Sequence, residues 1–161
     1  MNHTIYQRKH LFKGMSNQSA DCIFCNIVAK KIPAHLIYED KEIVVFLDIR
    51  PINSGHSLVI PKSHVANLKN LDPSLAGRLF QVAGKIAAAL RKSGLRCEGI
   101  NVWLADGKAA FQEIPHIHIH VIPRYSGDGL RIQAGPDYGQ IPPENELEKQ
   151  ANQIRKALDK L

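Results

Sequence analysis

Three histidines alternate with apolar residues in His116-Ile117-His118-Ile119-His120-Val121. Side chains on a strand face opposite ways in turn, so the three imidazoles share one face and Ile117, Ile119 and Val121 the other. Imidazoles are poor core material, because their ring nitrogens must find partners. The apolar face supplies the packing, and the histidine face is expected to line a cleft or to bind something. Two chemistries use such a strand. Alternating histidines can chelate a metal. Alternatively, one imidazole is a nucleophile while its neighbours fix its tautomer and bind the oxygens of a charged substrate. An imidazole nitrogen attacks phosphorus well and also leaves it well.

A second chemical signal is Cys22-x-x-Cys25; Cys97 stands apart. On a helical turn the i, i+3 spacing puts both sulfurs on one side, but two ligands do not hold zinc. Residues 1–20 are polar and mildly basic, with no apolar secretory core, and are read as a flexible extension. Cysteines in that setting suggest reduced thiols or a metal site rather than a disulfide scaffold. A redox role for the pair lacks the βαβ setting that activates such thiols.

The elements that must position these groups read as a mixed α+β chain. Residues 22–31 have apolar residues at helical spacing and stop before Ile32-Pro33. Residues 35–39 and 42–48 read as strands around the turn Asp40-Lys41, and residues 56–61 as a third. Asp72 is an expected N-cap and Pro73 the first residue of a long helix, with Leu75, Leu79, Val82, Ile86 and Leu90 on one face and Gly94 at its end. Residues 100–104 and 116–123 complete the strands. A Gly- and Pro-rich loop then leads to a closing helix bearing Leu147, Ala151, Ile154 and Leu158. Short connections favour an antiparallel sheet. The expected organisation is the extension 1–20 followed by one domain over residues 21–161.

Composition bounds the partners. The chain has 161 residues, 44% hydrophobic and 22% charged, with no apolar run of membrane-spanning length. A cytoplasmic protein is expected, with no membrane partner. The net charge of +6 suits a phosphorylated small molecule. The basic residues are scattered and aromatics are only 6%, so a nucleic-acid partner is not expected.

Four blocks occur in a fixed order: CIFCNIVAKKIPAHLIYED, FLDIRP, SGHSLVIPKSH and HIHIHVIPR. Together they resemble the histidine-triad family of nucleotide hydrolases and transferases, from about Cys22 to Tyr125. The resemblance implies a five-stranded antiparallel sheet with a long central helix and flanking N- and C-terminal helices, paired into a homodimer. It implies that His118 attacks the α-phosphate of a purine nucleotide or nucleotide conjugate, giving a nucleotidyl-histidine that water hydrolyses. His120 and His56 would flank the phosphate as donors, with Gln112 in the phosphate loop. Asp48 would hold the ribose hydroxyls, while Ile23, Phe24, Ile27, Phe46 and Ile49 would line the base pocket. Some relatives complete a structural zinc site with the histidine of a PKxH segment and the first triad histidine. Here the set would be Cys22, Cys25, His64 and His116, closed to a catalytic water.

Three positions depart from the family pattern. Phe111 stands where a glycine precedes the glutamine, Glu113 where relatives carry Ser or Thr, and Ala105 where a polar Asn or Gln is common. A carboxylate at 113 would repel a polyphosphate unless it points away or is protonated. These changes favour a nucleoside phosphoramidate or another adenylated compound over a diadenosine polyphosphate. They also keep open a nucleotide-binding module with little turnover. A third reading places a catalytic zinc on all three triad histidines.

Overall fold

In the computed structural model, residues 19–131 and 134–161 are described. Residues 1–18, most of the expected extension, lie outside the described residues. Contacts group the chain into two compact units, one ending at Asp128 and the other running from Gly129 to Leu161.

The first unit is built on one antiparallel sheet. Its strands are β1 (Leu36–Glu39), β2 (Ile43–Leu47), β3 (Ser57–Pro61), β4 (Gly99–Leu104) and β5 (Ile119–Arg124). Their spatial order is β1-β2-β3-β5-β4, so β3 and β5 are interior and β4 is an edge. The pleat divides the side chains between two cores. Ile43, Val45, Val59, Ile119 and Val121 face helix α2 (Pro73–Lys92), packing on Leu79, Val82, Ala83, Ile86 and Leu90. Val44, Phe46, Leu58 and Ile60 face helix α1 (Ile23–Val28), packing on Cys22, Phe24 and Cys25. Every residue of β3 is therefore buried, which its apolar run foreshadows.

Helix α2 starts and stops as its sequence dictates. Asp72 accepts hydrogen bonds from the Ser74 and Leu75 amides, at 2.9 and 3.1 Å, and Pro73 occupies the first turn, where no N–H is needed. Arg91 and Lys92 sit in the last turn, against the negative end of the helix dipole. Helix α1 is shorter than the expected 22–31. Lys30 turns left-handed (φ 59°), and the Lys31 and Ile32 amides fold back onto the Asn26 carbonyl.

The β2–β3 connection requires glycine at Gly55, whose φ is +91°. A Cβ there would sit 2.8 Å from Leu95 Cδ1 and 2.9 Å from Leu90 Cδ2. Asn53 anchors the same loop, donating to the Pro123 carbonyl (2.8 Å) and to Asp128 Oδ2 (2.9 Å). Both contacts fix the loop that leads to His56, whose amide donates to the Asn53 carbonyl at 3.0 Å.

The second unit carries helix α3 (Glu144–Leu158), where the closing helix is expected. Glu144 and Glu146 occupy its first turn and Arg155 and Lys156 its last, both favourable to the dipole. Among the described residues, no helix is long and apolar enough to cross a membrane.

Candidate active site and metal-ligand cage

The triad segment is only partly in the sheet. A strand over 116–123 was expected, but β5 begins at Ile119, where His120 pairs with Leu58 and Ile119 with Val59. The Ile117 amide instead donates to the Val65 carbonyl at 2.7 Å, so His116 and His118 lie just before the ladder. Alternation persists through this stretch. Ile117 joins the α2-side core, whereas His118 and His120 line a cleft on the other side. The histidines are more enclosed than an open face suggests: His116 is fully buried and His118 only 5% exposed. Phe24 lies edge-on to both rings, with centroids 5.7 Å from His116 and 5.3 Å from His118.

Backbone groups assign the tautomers, because an N–H can only donate and a carbonyl can only accept. His118 Nδ1 lies 2.7 Å from the His116 carbonyl, so Nδ1 carries the proton and Nε2 keeps a lone pair. The Ile52 amide donates to His56 Nδ1 at 3.2 Å, which puts the His56 proton on Nε2. That N–H then donates to His120 Nδ1 at 2.9 Å, leaving the His120 proton on Nε2. His116 Nε2 donates to the Pro61 carbonyl at 2.9 Å, so its Nδ1 is the lone-pair nitrogen. One ring thus presents a nucleophilic nitrogen while another presents a donor.

Burial makes the neutral rings the stable ones. It lowers the His118 pKa against the opposing hydrogen bond to the His116 carbonyl. Burial likewise lowers His56, with Asp48 opposing it. His120 is lowered to about 4 by burial and by the neighbouring His118 and His56 rings. At neutral pH the lone pair on His118 Nε2 is therefore available without prior deprotonation.

This arrangement has a stability consequence. His120 is neutral in the folded protein down to about pH 4 but titrates near 6.5 once unfolded. The unfolded chain binds the extra proton between those values, so the stabilisation is complete above about pH 6.5 and is lost as pH falls toward 4. The loss from His120 alone should be about 2–3 kcal/mol. Denaturant unfolding at stepped pH should show a fall over this range, and His120→Asn should reduce it, the buried His56, His116 and His118 supplying the rest.

The cleft encloses about 500 Å³, within the range of small-molecule sites. Ile23, Phe24, Ile27, Phe46 and Ile49, the expected base-pocket residues, all line it. Asp48, His56, His118 and His120 line it as well. Asp48 Oδ1 accepts from the Arg50 amide (2.8 Å), and Oδ2 lies 3.6 Å from His56 Nδ1. Gln112 is placed differently. Its Oε1 accepts from the Gly107 amide (2.8 Å) and its Nε2 donates to the Ala66 carbonyl (2.7 Å). The side chain is therefore taken up in bracing its own loop, and it is not among the residues lining the cleft. Sequence reasoning gave no role to several lining residues, among them Ile32, Arg50, Trp103 and Ile114. Trp103 stands opposite His120 in the β4–β5 pairing, a register that only the fold reveals.

Behind the cleft, Cys22, Cys25, His64 and His116 each offer a ligand atom, all within 4.8 Å of one another. His116 Nδ1 lies 3.5 Å from Cys22 Sγ and 3.7 Å from Cys25 Sγ, and His64 Nδ1 lies 3.3 Å from Cys25 Sγ. The nitrogen-to-sulfur edges of a tetrahedron with zinc bonds of about 2.0 and 2.3 Å are about 3.5 Å, so these residues fit a zinc ion. The Pro61 carbonyl orients His116 from behind, as outer partners of metal ligands do. Burial pushes the Cys25 thiol up, so a cation entering this cage must displace a proton. The three triad histidines form no cage of their own. Among the described residues the other potential ligand cluster is Asp48, His56 and His120, without His118.

Residues 29–127 match the model of the HIT domain. An uncharacterized HIT-like protein of Borreliella burgdorferi is 44% identical over 116 residues, covering 71% of this chain and 84% of the relative. The adenosine 5'-monophosphoramidase HNT1 of Saccharomyces cerevisiae is 37% identical over 105 residues, covering 65% of this chain and 63% of the relative. Among solved structures, a zinc-bound histidine triad family protein from Mycobacterium smegmatis superposes with a TM-score of 0.67 at 47% identity, covering 73% of this chain and 84% of that one.

Proposed function

The chain belongs to the histidine-triad (HIT) family, and from that premise we propose that it hydrolyses a purine nucleotide conjugate through a nucleotidyl-histidine on His118. One observation carries the reading. The His118 ring is pinned through Nδ1–H to the His116 carbonyl, which leaves Nε2 free at a cleft with an apolar wall. In the first step Nε2 attacks the α-phosphorus, and an N–P bond forms as the bond to the leaving group breaks. The leaving amine departs with the bonding pair and takes a proton from water. A water then attacks the same phosphorus, returns the pair to Nε2 and gives its proton to the hydroxide left by the first step. The sum is phosphoramidate plus water giving nucleoside monophosphate plus amine.

The other residues bind and orient. The relay from the Ile52 amide through His56 aims the His120 Nε2–H as a donor for phosphoryl oxygens, where charge grows in the transition state. Asp48 is a carboxylate acceptor for the ribose hydroxyls, and Phe24, Phe46 and Ile27 offer an apolar bed for the base. Gln112 holds the phosphate loop in shape rather than reaching the cleft with its amide.

Zinc is the proposed occupant of the Cys22, Cys25, His64 and His116 cage, and its chemistry there is structural. The four ligands tie helix α1 and the segment after β3 to His116, two residues from the nucleophile. A homodimer is proposed on the edge strand β4, whose outer side is unpaired and whose Val102 and Trp103 are each 43% exposed.

The test is AMP release from adenosine 5′-phosphoramidate, followed by chromatography, beside AMP binding by titration. Turnover with saturable kinetics is expected. The binding-module reading, which Ala105 and Glu113 motivate, predicts tight AMP binding with no release.

A further inference from the structure

The loop between β2 and β3 is anchored on a buried charge pair. The two hydrogens of the Asn53 amide go to two acceptors, the Pro123 carbonyl at 2.8 Å and Asp128 Oδ2 at 2.9 Å. Asn53 is 7% exposed and the Asp128 side chain only 3%. A carboxylate so enclosed is costly unless it is paired and hydrogen-bonded. Arg124 supplies the pairing, with Nε on Oδ2 and Nη2 on Oδ1 at 2.9 Å. Pro123 and Arg124 close β5, the strand that carries His120. The loop is thus pinned to the strand of one cleft histidine while it leads into another, His56.

This anchor bears on which nitrogen of His56 carries the proton, because two groups contest Nδ1. The Ile52 amide, 3.2 Å away, can only donate and so requires a bare Nδ1. Asp48 Oδ2, 3.6 Å away, can as a carboxylate only accept and so favours a proton there. Ile52 is the neighbour of Asn53, whose carbonyl also accepts from the His56 amide at 3.0 Å and closes the turn. The Ile52 amide therefore stays on the ring while Asn53 stays in place. Were it to withdraw, Asp48 would take the Nδ1–H, and His56 Nε2 would become an acceptor toward His120 Nδ1, 2.9 Å away. His120 would then carry its proton on Nδ1, and its Nε2 would meet phosphoryl oxygens with a lone pair instead of a donor. The relay has two settings, and one of them serves the reaction.

Resting on the hydrolase reading above, we propose that Asn53 and Asp128, with Arg124 as the counter-charge, are positioning residues for the reaction. They hold the Ile52 amide against His56 and so keep His120 a donor to the phosphate. Neither Asn53 nor Asp128 is among the residues lining the cleft, so both act through the loop. An anchor that served stability alone would leave the His56 proton on Nε2 whether or not the Asn53 amide is present.

The experiment reads both the proton and the rate on the full chain purified with zinc present, in wild type, Asn53→Ala, Asp128→Asn and the double variant. Proton–nitrogen correlation spectra of the imidazole rings, at about pH 8 where an unperturbed imidazole is neutral, distinguish Nε2–H from Nδ1–H. The His56 signals are identified by their loss in His56→Gln. Wild type should show Nε2–H at His56, and Asn53→Ala should shift the balance toward Nδ1–H about fivefold or more. In the same variant kcat for adenosine 5′-phosphoramidate should fall about 10- to 30-fold, with KM within about twofold. Asp128→Asn, whose amide oxygen still accepts from Asn53, should lose less than about fivefold, and the double variant should fall no further than Asn53→Ala. Asn53→Ser, which keeps one of the two bonds, carries the same test if Asn53→Ala does not fold. An unchanged proton position in a folded Asn53 variant overturns the proposal, as does a shifted proton with kcat unchanged. Losses that multiply in the double variant overturn it for Asp128. A wild type that binds AMP and releases none sinks the hydrolase reading, whereas the proton position in Asn53→Ala still decides the relay.

Discussion

Replacing His118 with asparagine should lower AMP release from adenosine 5′-phosphoramidate by about 10⁴-fold or more, with AMP affinity changed less than about threefold. The asymmetry follows from the geometry. Nε2 is the one nitrogen of the site left with a lone pair facing the cleft, because Nδ1 is committed to the His116 carbonyl at 2.7 Å. Asparagine keeps a polar side chain of moderate size but supplies no nucleophile. Of the proposed binding surface, Phe24 sits edge-on to that ring at 5.3 Å, while Phe46, Ile27 and Asp48 line the cleft beside it. Steady-state kinetics and calorimetric titration on the same preparation separate the two effects. A His118→Asn protein with kcat within about tenfold of wild type would contradict nucleophilic catalysis at this position.

The second large effect is on stability. Cys25→Ser should abolish one equivalent of bound zinc and lower stability by about 3 kcal/mol or more, a fall in Tm on the order of 10 °C. Cys25 is 2% exposed and packs in the α1-side core beside Phe24, the residue that also contacts the His118 ring. Loss of the cage therefore loosens helix α1 against the sheet and spreads to the nucleophile indirectly. Metal analysis and thermal melts check the first statement. Chelation of wild type checks the second, since turnover should decline only in step with unfolding. Immediate loss of turnover in a protein that remains folded would place the metal in the reaction instead.

The elements were legible where the chain carries local rules. Asp72-Pro73 at the start of α2 and Gly94 after its end rest on capping chemistry within a few residues of sequence, and both positions hold. The strand periods likewise named which side chains share a face, and Ile117, Ile119 and Val121 do pack together toward α2. The boundary of β5 was not legible, because it depends on where the chain after β3 bends and offers the Val65 carbonyl to Ile117. The ring tautomers were equally hidden. They are set by the Pro61 carbonyl for His116, 55 residues away in sequence, and by the Ile52 amide for His56. The family resemblance, rather than the CxxC spacing, supplied the four-ligand set, and those residues stand close together. The resemblance also put Gln112 in the phosphate loop but did not reveal the hydrogen bonds of its side-chain amide to the Gly107 amide and the Ala66 carbonyl, which depend on how that loop folds. Nothing in the sequence announced the left-handed backbone at Phe111 or the approach of Arg50 to Glu113, since both depend on two loops meeting over one cleft.

The central claim is the covalent step, and acid-quenched mass spectrometry tests it most directly. Wild type mixed with adenosine 5′-phosphoramidate and quenched within the first turnovers should carry one adenylyl group on the peptide containing His118. The adduct should form and decay at rates that account for AMP release, and His118→Asn should never acquire it. AMP release by wild type with no adduct at any quench time, or an adduct on another residue of an active His118→Asn protein, would contradict the account.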